Sequence, residues 1–370
     1  MDVNCVIIGG GIIGLLTARE LAAAGLRVTV VERTVCGQES SWAGGGILAP
    51  LEPWRLPRTL KPLLAWSRML WPDLAAELHA ETGCDPEWIA SGCLVLDPSA
   101  EAMAWASREG ADAEPVSGAR LAELEPGLAR SFSSAIWLPG VAQARNPRLL
   151  RAVRLSVLAR GVNLVENVGT LRLLVRSGSV TGVWADGREI MADATIIAAG
   201  AWSGQIMAEV GLELRVRPVR GQMILYPPIL ASPKRILMHG DRYLVPRRDG
   251  RVLAGSTVED VGFDRSVTAD ARHTLMAAAA GMIPALAGRP IERQWAGLRP
   301  AAPGGIPYIC QVDSVPGLFV NTGHYRNGVT LAPASARVLT DLLLERTPAV
   351  DPRSFAYDAQ RGDHSSAAGD

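Results

Sequence analysis

The sequence predicts an α/β protein in which pieces of a parallel sheet are separated by β-rich insertions. The apolar run at 6–8, a glycine-rich turn, an alanine-rich helical segment and the apolar run at 28–31 form a βαβ unit. Further apolar runs that end in glycine lie at 193–200 and 317–323, and each is typical of a buried parallel strand. A chain of 370 residues is also too long for one small core, which indicates two domains.

The turn near the start of the chain has the spacing of a dinucleotide-binding loop. Gly9, Gly11 and Gly14 suit, in turn, a tight bend, close approach of the backbone to a pyrophosphate, and close packing of helix on strand. The N-terminal N–H groups of the helix that follows point at the phosphates. Glu32 ends the second strand, where a carboxylate accepts hydrogen bonds from ribose hydroxyls. The unit therefore predicts an adenine dinucleotide, either NAD or FAD.

Hydrophobic periodicity and glycine positions predict the remaining elements. Helices are expected at about 60–82, 117–124, 147–160, 269–282 and 329–344, and strands at 222–226, 242–245 and 251–255, with further short strands between 88 and 140 and up to about 190. The uncharged run at 40–50 contains three consecutive glycines and allows close backbone approach to a ligand. The tail at 361–370 is rich in Ser, Ala, Gly and Asp and is expected to be disordered.

Composition and charge exclude several classes of function. The 37 basic residues balance 37 acidic ones, so the electrostatic case for a nucleic-acid partner is absent. No apolar stretch is long enough to span a bilayer, and the N-terminus lacks the basic region of a secretory signal, which predicts a cytoplasmic location. The five scattered cysteines form no CxxC pair and the five histidines are widely separated, so neither disulfides nor a metal site is expected.

Six segments, in this order, resemble the D-amino-acid-oxidase superfamily of flavoproteins, and most closely its glycine oxidase branch. They lie at 6–32, 39–46, 218–222, 243–247, 295–300 and 323–329, and together they span nearly the whole chain. The resemblance implies a Rossmann-like FAD-binding domain with an inserted α+β substrate domain that carries a mixed, largely antiparallel sheet. It assigns 1–85, 141–215 and 300–360 to the FAD-binding domain, and 86–140 and 216–299 to the substrate domain.

The resemblance also implies non-covalent FAD held by residues from both ends of the chain. Besides the three glycines and Glu32, the implied contacts are Ile12, Ile13, Arg33, Ser40, Ser41, Gly45, Gly46, Ile47, Val168, Gly200, His324, Tyr325, Arg326, Asn327, Gly328, Val329 and Thr330. The loop at 324–330 leads into a helix, whose dipole can stabilise negative charge on the reduced flavin. Related sarcosine oxidases attach FAD through a cysteine just after the strand that carries the arginine. Here Pro-Ala-Ala-Pro follows Arg299, and Cys310 is expected to be a packing residue.

Three residues are implied as substrate contacts. Arg299, expected just after a strand, offers a carboxylate two parallel donors that orient the α-carbon. Tyr243 matches the family tyrosine whose hydroxyl meets the same carboxylate. Arg326 can either contact substrate or brace its loop, and the sequence favours neither. His324 is expected to bind backbone or cofactor rather than to act as an acid or base, and Arg220 to hold the domain crossover together.

The implied reaction is oxidative deamination of glycine and other small amines, such as sarcosine and small D-amino acids. Hydride passes from the α-carbon to flavin N5, the resulting imine hydrolyses to an oxo acid, and oxygen reoxidises the flavin with release of hydrogen peroxide. The expected partners are a small amino-acid substrate and oxygen. A homo-oligomer such as a tetramer is also expected, as is a thiazole synthase that receives dehydroglycine for thiamine synthesis.

The residues leave four alternatives open. A D-amino-acid or sarcosine oxidase shares every residue named above and differs in pocket volume. A dehydrogenase passes its electrons to a quinone or a carrier protein instead of oxygen. An NAD-dependent Rossmann dehydrogenase has no role for the glycine-rich loops at 40–46 and 323–329. A catalytically silent nucleotide-binding protein has no need of Arg299 or Tyr243.

Overall fold

The computed structural model of the chain describes residues 3–230 and 232–361. Within them the strands are β1 (Asn4–Ile8), β2 (Arg27–Val31), β3 (Cys93–Leu96), β4 (Glu114–Ser117), β5 (Ser134–Leu138), β6 (Asn163–Val165), β7 (Leu171–Arg176), β8 (Ser179–Ala185), β9 (Arg188–Met191), β10 (Ala194–Ile197), β11 (Arg217–Tyr226), β12 (Ile236–His239), β13 (Arg242–Pro246), β14 (Val252–Gly255), β15 (Arg293–Ala301), β16 (Tyr308–Gln311) and β17 (Leu318–Thr322). The α-helices are α1 (Ile12–Ala23), α2 (Ser40–Ala43), α3 (Lys61–Thr82), α4 (Ala100–Glu109), α5 (Gly118–Leu124), α6 (Asn146–Ala159), α7 (Ser203–Ala208), α8 (Ala269–Met282) and α9 (Gly328–Leu343).

The first sheet is built on the predicted N-terminal βαβ unit. Its strand order is β16-β17-β10-β1-β2-β6, and neighbours are parallel except for the antiparallel pair β16 and β17. Helices α1, α3, α6 and α9 pack on one face, and the three-stranded sheet β7-β8-β9 covers the other. Because both faces are covered, β1 and β10 are apolar along most of their length. Because β1, β2, β10 and β17 run parallel, their carboxyl ends meet at one edge of the sheet.

The second sheet has the order β15-β11-β14-β13-β12-β3-β5-β4, and every pair is antiparallel except β12 with β3. Side chains alternate along its strands, so Leu244 packs under α5 and α8 whereas Tyr243 and Val245 face the other way, with Met223. The sheet is mixed and largely antiparallel. The predicted α/β fold with an inserted α+β unit is therefore confirmed.

The predicted helices and the strands given bounds recur close to their predicted positions, but α2, α4, α7, β12 and β16 were not predicted. Helix α4 lies in the region where only short strands and one helix were predicted. It buries Ala102 and Ala106, and Ser99 caps it by accepting from the Ala102 N–H at 3.2 Å. Arg361, placed in the predicted disordered tail, is instead buried with its guanidinium 3.7 Å from the centre of the Tyr308 ring. The rest of that tail, 362–370, lies outside the described residues.

The predicted division of the chain into domains stays a prediction. The strands of the first sheet come from 1–85, 141–215 and 300–360, and those of the second from 86–140 and 216–301. Across the part of the chain that the structure describes, no helix is both long and apolar enough to cross a membrane. No three His, Cys, Asp or Glu side chains of residues 3–230 and 232–361 gather in a way that would hold a metal ion.

Candidate active site

A cavity of about 420 Å³ lies where the carboxyl edge of the first sheet meets one face of the second. Residues that follow β1, β2, β10 and β17 form one part of its wall, and side chains of β11, β13 and β15 form the other. The carboxyl edge of a parallel sheet is where nucleotides bind in folds of this type. The cavity thus joins a dinucleotide region to a second chamber walled by the antiparallel sheet.

The glycine loop leaves no room for side chains, as predicted. Gly9 has φ +110°, and a Cβ there would lie 2.5 Å from the Ala198 carbonyl oxygen. A Cβ at Gly14 would overlap the Gly9 carbonyl, so Gly14 packs helix on strand and does not itself line the cavity. Helix α1 begins with no acidic residue in its first turn, and the Ile12 N–H donates to Ser41 Oγ at 2.9 Å. This helix N-terminus suits an anionic pyrophosphate.

Glu32 holds the shape of its own loop. Its carboxylate accepts from the Gly10 N–H at 2.8 Å and from the Thr34 N–H at 2.9 Å, and it lines the cavity. The neighbouring Arg33 lies 4.2 Å from the centre of the Trp202 ring and pairs with Glu39 at 3.0 Å. Oε1 also accepts from Thr34 Oγ1 at 3.2 Å, whereas among the described residues Oε2 accepts only from Gly10 and retains a lone pair for a ribose hydroxyl, so the predicted role of Glu32 remains open to it.

A second helix N-terminus opens on the same cavity. Helix α9 begins at Gly328 without an acidic residue in its first turn, and Gly328 and Val329 line the wall. Asn327 and Thr330, predicted as cofactor contacts, do not line it. Thr330 instead ties α9 to its surroundings, because its Oγ1 donates to the Ile47 carbonyl at 3.1 Å and its own carbonyl accepts from Trp71 at 3.0 Å.

Asn321, at the end of β17, contributes a buried acceptor that the protein leaves unused. Its Nδ2 donates to Thr17 Oγ1 at 3.2 Å, while Oδ1 is buried and has no hydrogen-bond partner in the structure. Buried polar atoms are nearly always satisfied, so an unpaired acceptor in a residue that lines the cavity favours a hydroxyl-bearing ligand. The glycine loop, two helix N-termini and this acceptor together fit FAD.

Arg299 lies within β15, not after a strand as predicted, and its side chain reaches into the second chamber. Its Nη2 donates to Ser256 Oγ at 2.7 Å and its Nη1 to the Thr257 carbonyl at 3.1 Å. Among the described residues no carboxylate pairs with it. Burial lowers the pKa of Arg299, yet a guanidinium remains charged in proteins. A half-buried cation whose hydrogen-bond partners are neutral is a site for an anion.

Tyr243 stands beside this arginine in the same chamber. Both Tyr243 and Met223 lie opposite Gly255 in the register of the second sheet, and a Cβ at Gly255 would lie 2.7 Å from the tyrosine oxygen. A Cβ at Gly45 would lie 2.9 Å from its ring. The Tyr243 hydroxyl donates to Met223 Sδ at 3.7 Å, and thioether sulfur is a weak acceptor. The hydroxyl is therefore available to a better one, such as a carboxylate.

Three further predicted residues have defined partners. Arg326 lines the cavity and pairs with Asp241 at 2.8 Å, which ties its loop to the β12–β13 hairpin, and its contact with substrate stays a prediction. His324 bonds Ser335 Oγ through Nε2 at 3.0 Å, and burial lowers the pKa of His324 to about 3, which makes it a poor acid or base near neutral pH. Arg220, which was expected to hold the domain crossover together, pairs with acidic residues of the loop after β14, and its role at the crossover stays a prediction.

The structure brings most predicted contacts together and adds others. Those that line the cavity are Gly9, Gly11, Ile12, Ile13, Glu32, Arg33, Ser40, Ser41, Gly45, Gly46, Ile47, Val168, Gly200, Tyr243, Arg299, His324, Tyr325, Arg326, Gly328 and Val329. Lining residues that the sequence did not single out include Ala49, Leu51, Trp202, Met223 and Ser256. No local motif marks them, because each joins the cavity through strand pairing or loop docking.

No cysteine lines the cavity, and all five cysteines are described. Cys310 is packed among apolar side chains beneath the first sheet, and burial raises its pKa to about 12. The packing role predicted for Cys310 is confirmed. Non-covalent attachment of FAD stays a prediction.

A dinucleotide cavity that continues into an arginine-bearing chamber is the arrangement of an FAD-dependent oxidoreductase. The chain belongs to that class, since the DAO family model, described as FAD dependent oxidoreductase, matches residues 4–342. The predicted family, enzyme class and cofactor are confirmed.

Within this family, the chain is similar to several named proteins. The chain is 47% identical to a glycine oxidase of Pseudomonas aeruginosa, over 96% of this chain and 99% of that protein. It is 33% identical to a bifunctional protein ThiO/ThiG of Nostoc sp., over 94% of this chain and 53% of that protein. Among solved structures, glycine oxidase from Geobacillus kaustophilus superposes with a TM-score of 0.90 at 30% identity, covering 98% of this chain and 100% of that one.

Proposed function

We propose that the protein oxidises glycine and other small amines, such as sarcosine and small D-amino acids, to an oxo acid, with oxygen as the electron acceptor. The observation that carries this proposal is Arg299, a half-buried guanidinium without a carboxylate partner among the described residues. It stands beside the Tyr243 hydroxyl in a chamber continuous with the dinucleotide cavity. The similarity to glycine oxidases supports the same substrate class.

The residues of the chamber bind and orient the substrate. Arg299 offers two donors to the substrate carboxylate and Tyr243 a third, which fixes the direction of the Cα–H bond. The apolar side chains of Met223, Ala49 and Leu51 limit the size of the group on that carbon and exclude water. FAD, when bound in the adjoining part of the cavity, would supply the two-electron oxidation of the Cα–H bond, with oxygen as the final acceptor.

His324 does not serve as the base that deprotonates the amine, because burial lowers its pKa to about 3 and its Nε2 already bonds Ser335. The amine therefore has to enter already deprotonated. The overall balance is then amino acid, oxygen and water giving oxo acid, ammonia and hydrogen peroxide. For sarcosine the released amine is methylamine. Orientation of the substrate therefore does most of the work that these side chains perform.

The decisive experiment mixes the purified yellow protein anaerobically with glycine, sarcosine, D-alanine and D-proline and follows bleaching of the flavin. We expect glycine or sarcosine to bleach it, and peroxide to appear once air is admitted. Bleaching by D-proline or D-alanine in preference would identify a D-amino-acid oxidase. Reduction of a dye without peroxide would identify a dehydrogenase, and no bleaching by any amine would refute the proposal.

We also propose a cytoplasmic homo-oligomer, such as a tetramer, that passes its product to a thiazole synthase for thiamine synthesis. The Nostoc protein supports the transfer of product to a thiazole synthase, because that protein is bifunctional and about half of its length is similar to this chain. The mass of the native protein in solution tests the oligomer. Co-purification with the thiazole synthase of the same cell tests the partner.

A further inference from the structure

An ion pair lies at the wall of the substrate chamber. Arg326 precedes α9, and its Nη2 donates to Asp241 Oδ1 at 2.8 Å. Asp241 lies in the turn between β12 and β13, two residues before Tyr243, and its side chain is 58% exposed, against 18% for Arg326. The pair therefore joins the loop of one sheet to a hairpin of the other, with its acidic member toward solvent.

The two arginines that line the chamber, Arg299 and Arg326, have different partners for their guanidinium groups. Arg299 bonds neutral oxygens, whereas Arg326 faces a carboxylate. Burial is the main cause of the lowered pKa of Arg299; the nearby charge of Arg326 lowers this pKa further, while that of Asp241 raises it. Arg326 also has donor capacity left, since its buried Nε lacks a hydrogen-bond partner. Without Asp241, the chamber would hold two unpaired guanidinium groups.

We propose that Asp241 is a specificity-determining residue that restricts this site to amines with a single carboxylate. It neutralises the charge of Arg326, so a second carboxylate on the substrate finds no unneutralised guanidinium and meets the negative charge of Asp241 instead. Removing that charge should convert Arg326 into a second carboxylate clamp and admit dicarboxylic amines such as iminodiacetate. The inference rests on the proposed function for its substrates, but the selectivity for carboxylates can be measured without turnover.

The test compares the flavin-loaded protein with Asp241→Asn, which keeps the size of the side chain and removes its charge. Acetate and malonate serve as probes, and binding is read from the flavin absorbance. We expect malonate to bind about tenfold more tightly to the variant, corresponding to about 1.4 kcal/mol, while acetate changes less than threefold. The ratio of kcat/KM for iminodiacetate to that for glycine should rise by a similar factor.

Two controls separate this role from general electrostatics and from folding. Asp351→Asn removes the same charge from another exposed pair, Asp351 with Arg353 at 2.6 Å, whose members do not line the cavity, and should leave both probes unchanged. Adding Arg326→Gln to Asp241→Asn should abolish the gain for malonate. Asp241→Ser, with unchanged flavin content, should reproduce the gain.

Several results would overturn the inference: equal tightening of acetate and malonate, a gain that survives Arg326→Gln, or wild-type protein that already oxidises iminodiacetate as well as glycine. Failure of the proposed function has a different signature. If no amine bleaches the flavin but malonate binding still responds to Asp241→Asn, the charge arrangement stands and the oxidase proposal fails.

Discussion

Arg299 is the residue on which the proposed chemistry depends most. Replacing it with Gln removes the charge but keeps donors near Ser256 Oγ and the Thr257 carbonyl, which Arg299 now contacts at 2.7 and 3.1 Å. Truncating one partner of a buried, hydrogen-bonded charge pair costs about 2–5 kcal/mol. Taking about 3 kcal/mol, we expect kcat/KM for glycine to fall roughly 150-fold.

Arg299→Lys separates charge from geometry. Lysine retains the positive charge but lacks the planar fork that binds a carboxylate through two parallel bonds. We expect an intermediate loss of about tenfold, since one charge-assisted hydrogen bond contributes roughly 1.5–3 kcal/mol. The losses should appear equally in the Kd of acetate, which measures binding of the carboxylate alone.

The assay is steady-state peroxide release together with flavin titration of acetate. A matched control is Arg293→Gln, which alters an arginine of the same strand whose guanidinium lies over the Trp42 ring at 4.7 Å and does not line the cavity. It should retain kcat/KM within threefold. If Arg299→Gln behaved like this control while keeping its flavin, the carboxylate would bind elsewhere and the reasoning would be wrong.

Three other perturbations have defined outcomes. Burial lowers the pKa of His324 to about 3, against about 6.5 in the unfolded chain, so the free energy of unfolding of the wild type falls as the pH drops below 6.5. In urea melts, the decrease in this free energy between pH 7 and 5 should be about 2 kcal/mol smaller for His324→Gln than for the wild type. Arg247, whose Nη2 donates to the Gly45 carbonyl at 2.8 Å, holds the glycine-rich wall, so Arg247→Met should weaken FAD binding roughly tenfold by equilibrium dialysis, with an unchanged Kd contradicting this role. Glu39 pairs with Arg33 and with Arg265 of the loop after β14. Because exposed pairs contribute at most about 1 kcal/mol, Glu39→Gln should speed FAD release up to fivefold, measured by flavin fluorescence. Salt at 0.5 M should speed release from the wild type by the same factor and leave the variant unchanged.

Local signals were sufficient where the chain builds its function from consecutive residues. Gly9, Gly14 and Glu32 belong to one βαβ unit, so their spacing along the chain already determines how they meet. The helix at 269–282 was predicted at its observed bounds, and its sequence is rich in alanine and follows the Thr268 cap. Helix α4 was missed although it is also rich in alanine and is capped by Ser99.

The second chamber depended on long-range pairing that no short motif reports. Met223 joins Tyr243 because β11 and β13 both place these residues opposite Gly255. Arg299 crosses Gly221 of the paired strand, where a Cβ would overlap its guanidinium. Register between strands far apart in sequence is set by the packing of whole sheets, so Met223 and Ser256 carried no signal of their own.

The sequence by itself determined the class of cofactor and the first sheet, because a glycine loop, a helix N-terminus and an acidic residue within one βαβ unit meet whatever surrounds them. It also identified Arg299 and Tyr243 through their resemblance to a family. Only the tertiary structure decided what each charge faces. The sequence left Arg326 equally compatible with binding substrate or bracing a loop and gave no sign of its ionic partner, Asp241, which lies 85 residues away in sequence and which the β12–β13 hairpin brings to within 2.8 Å.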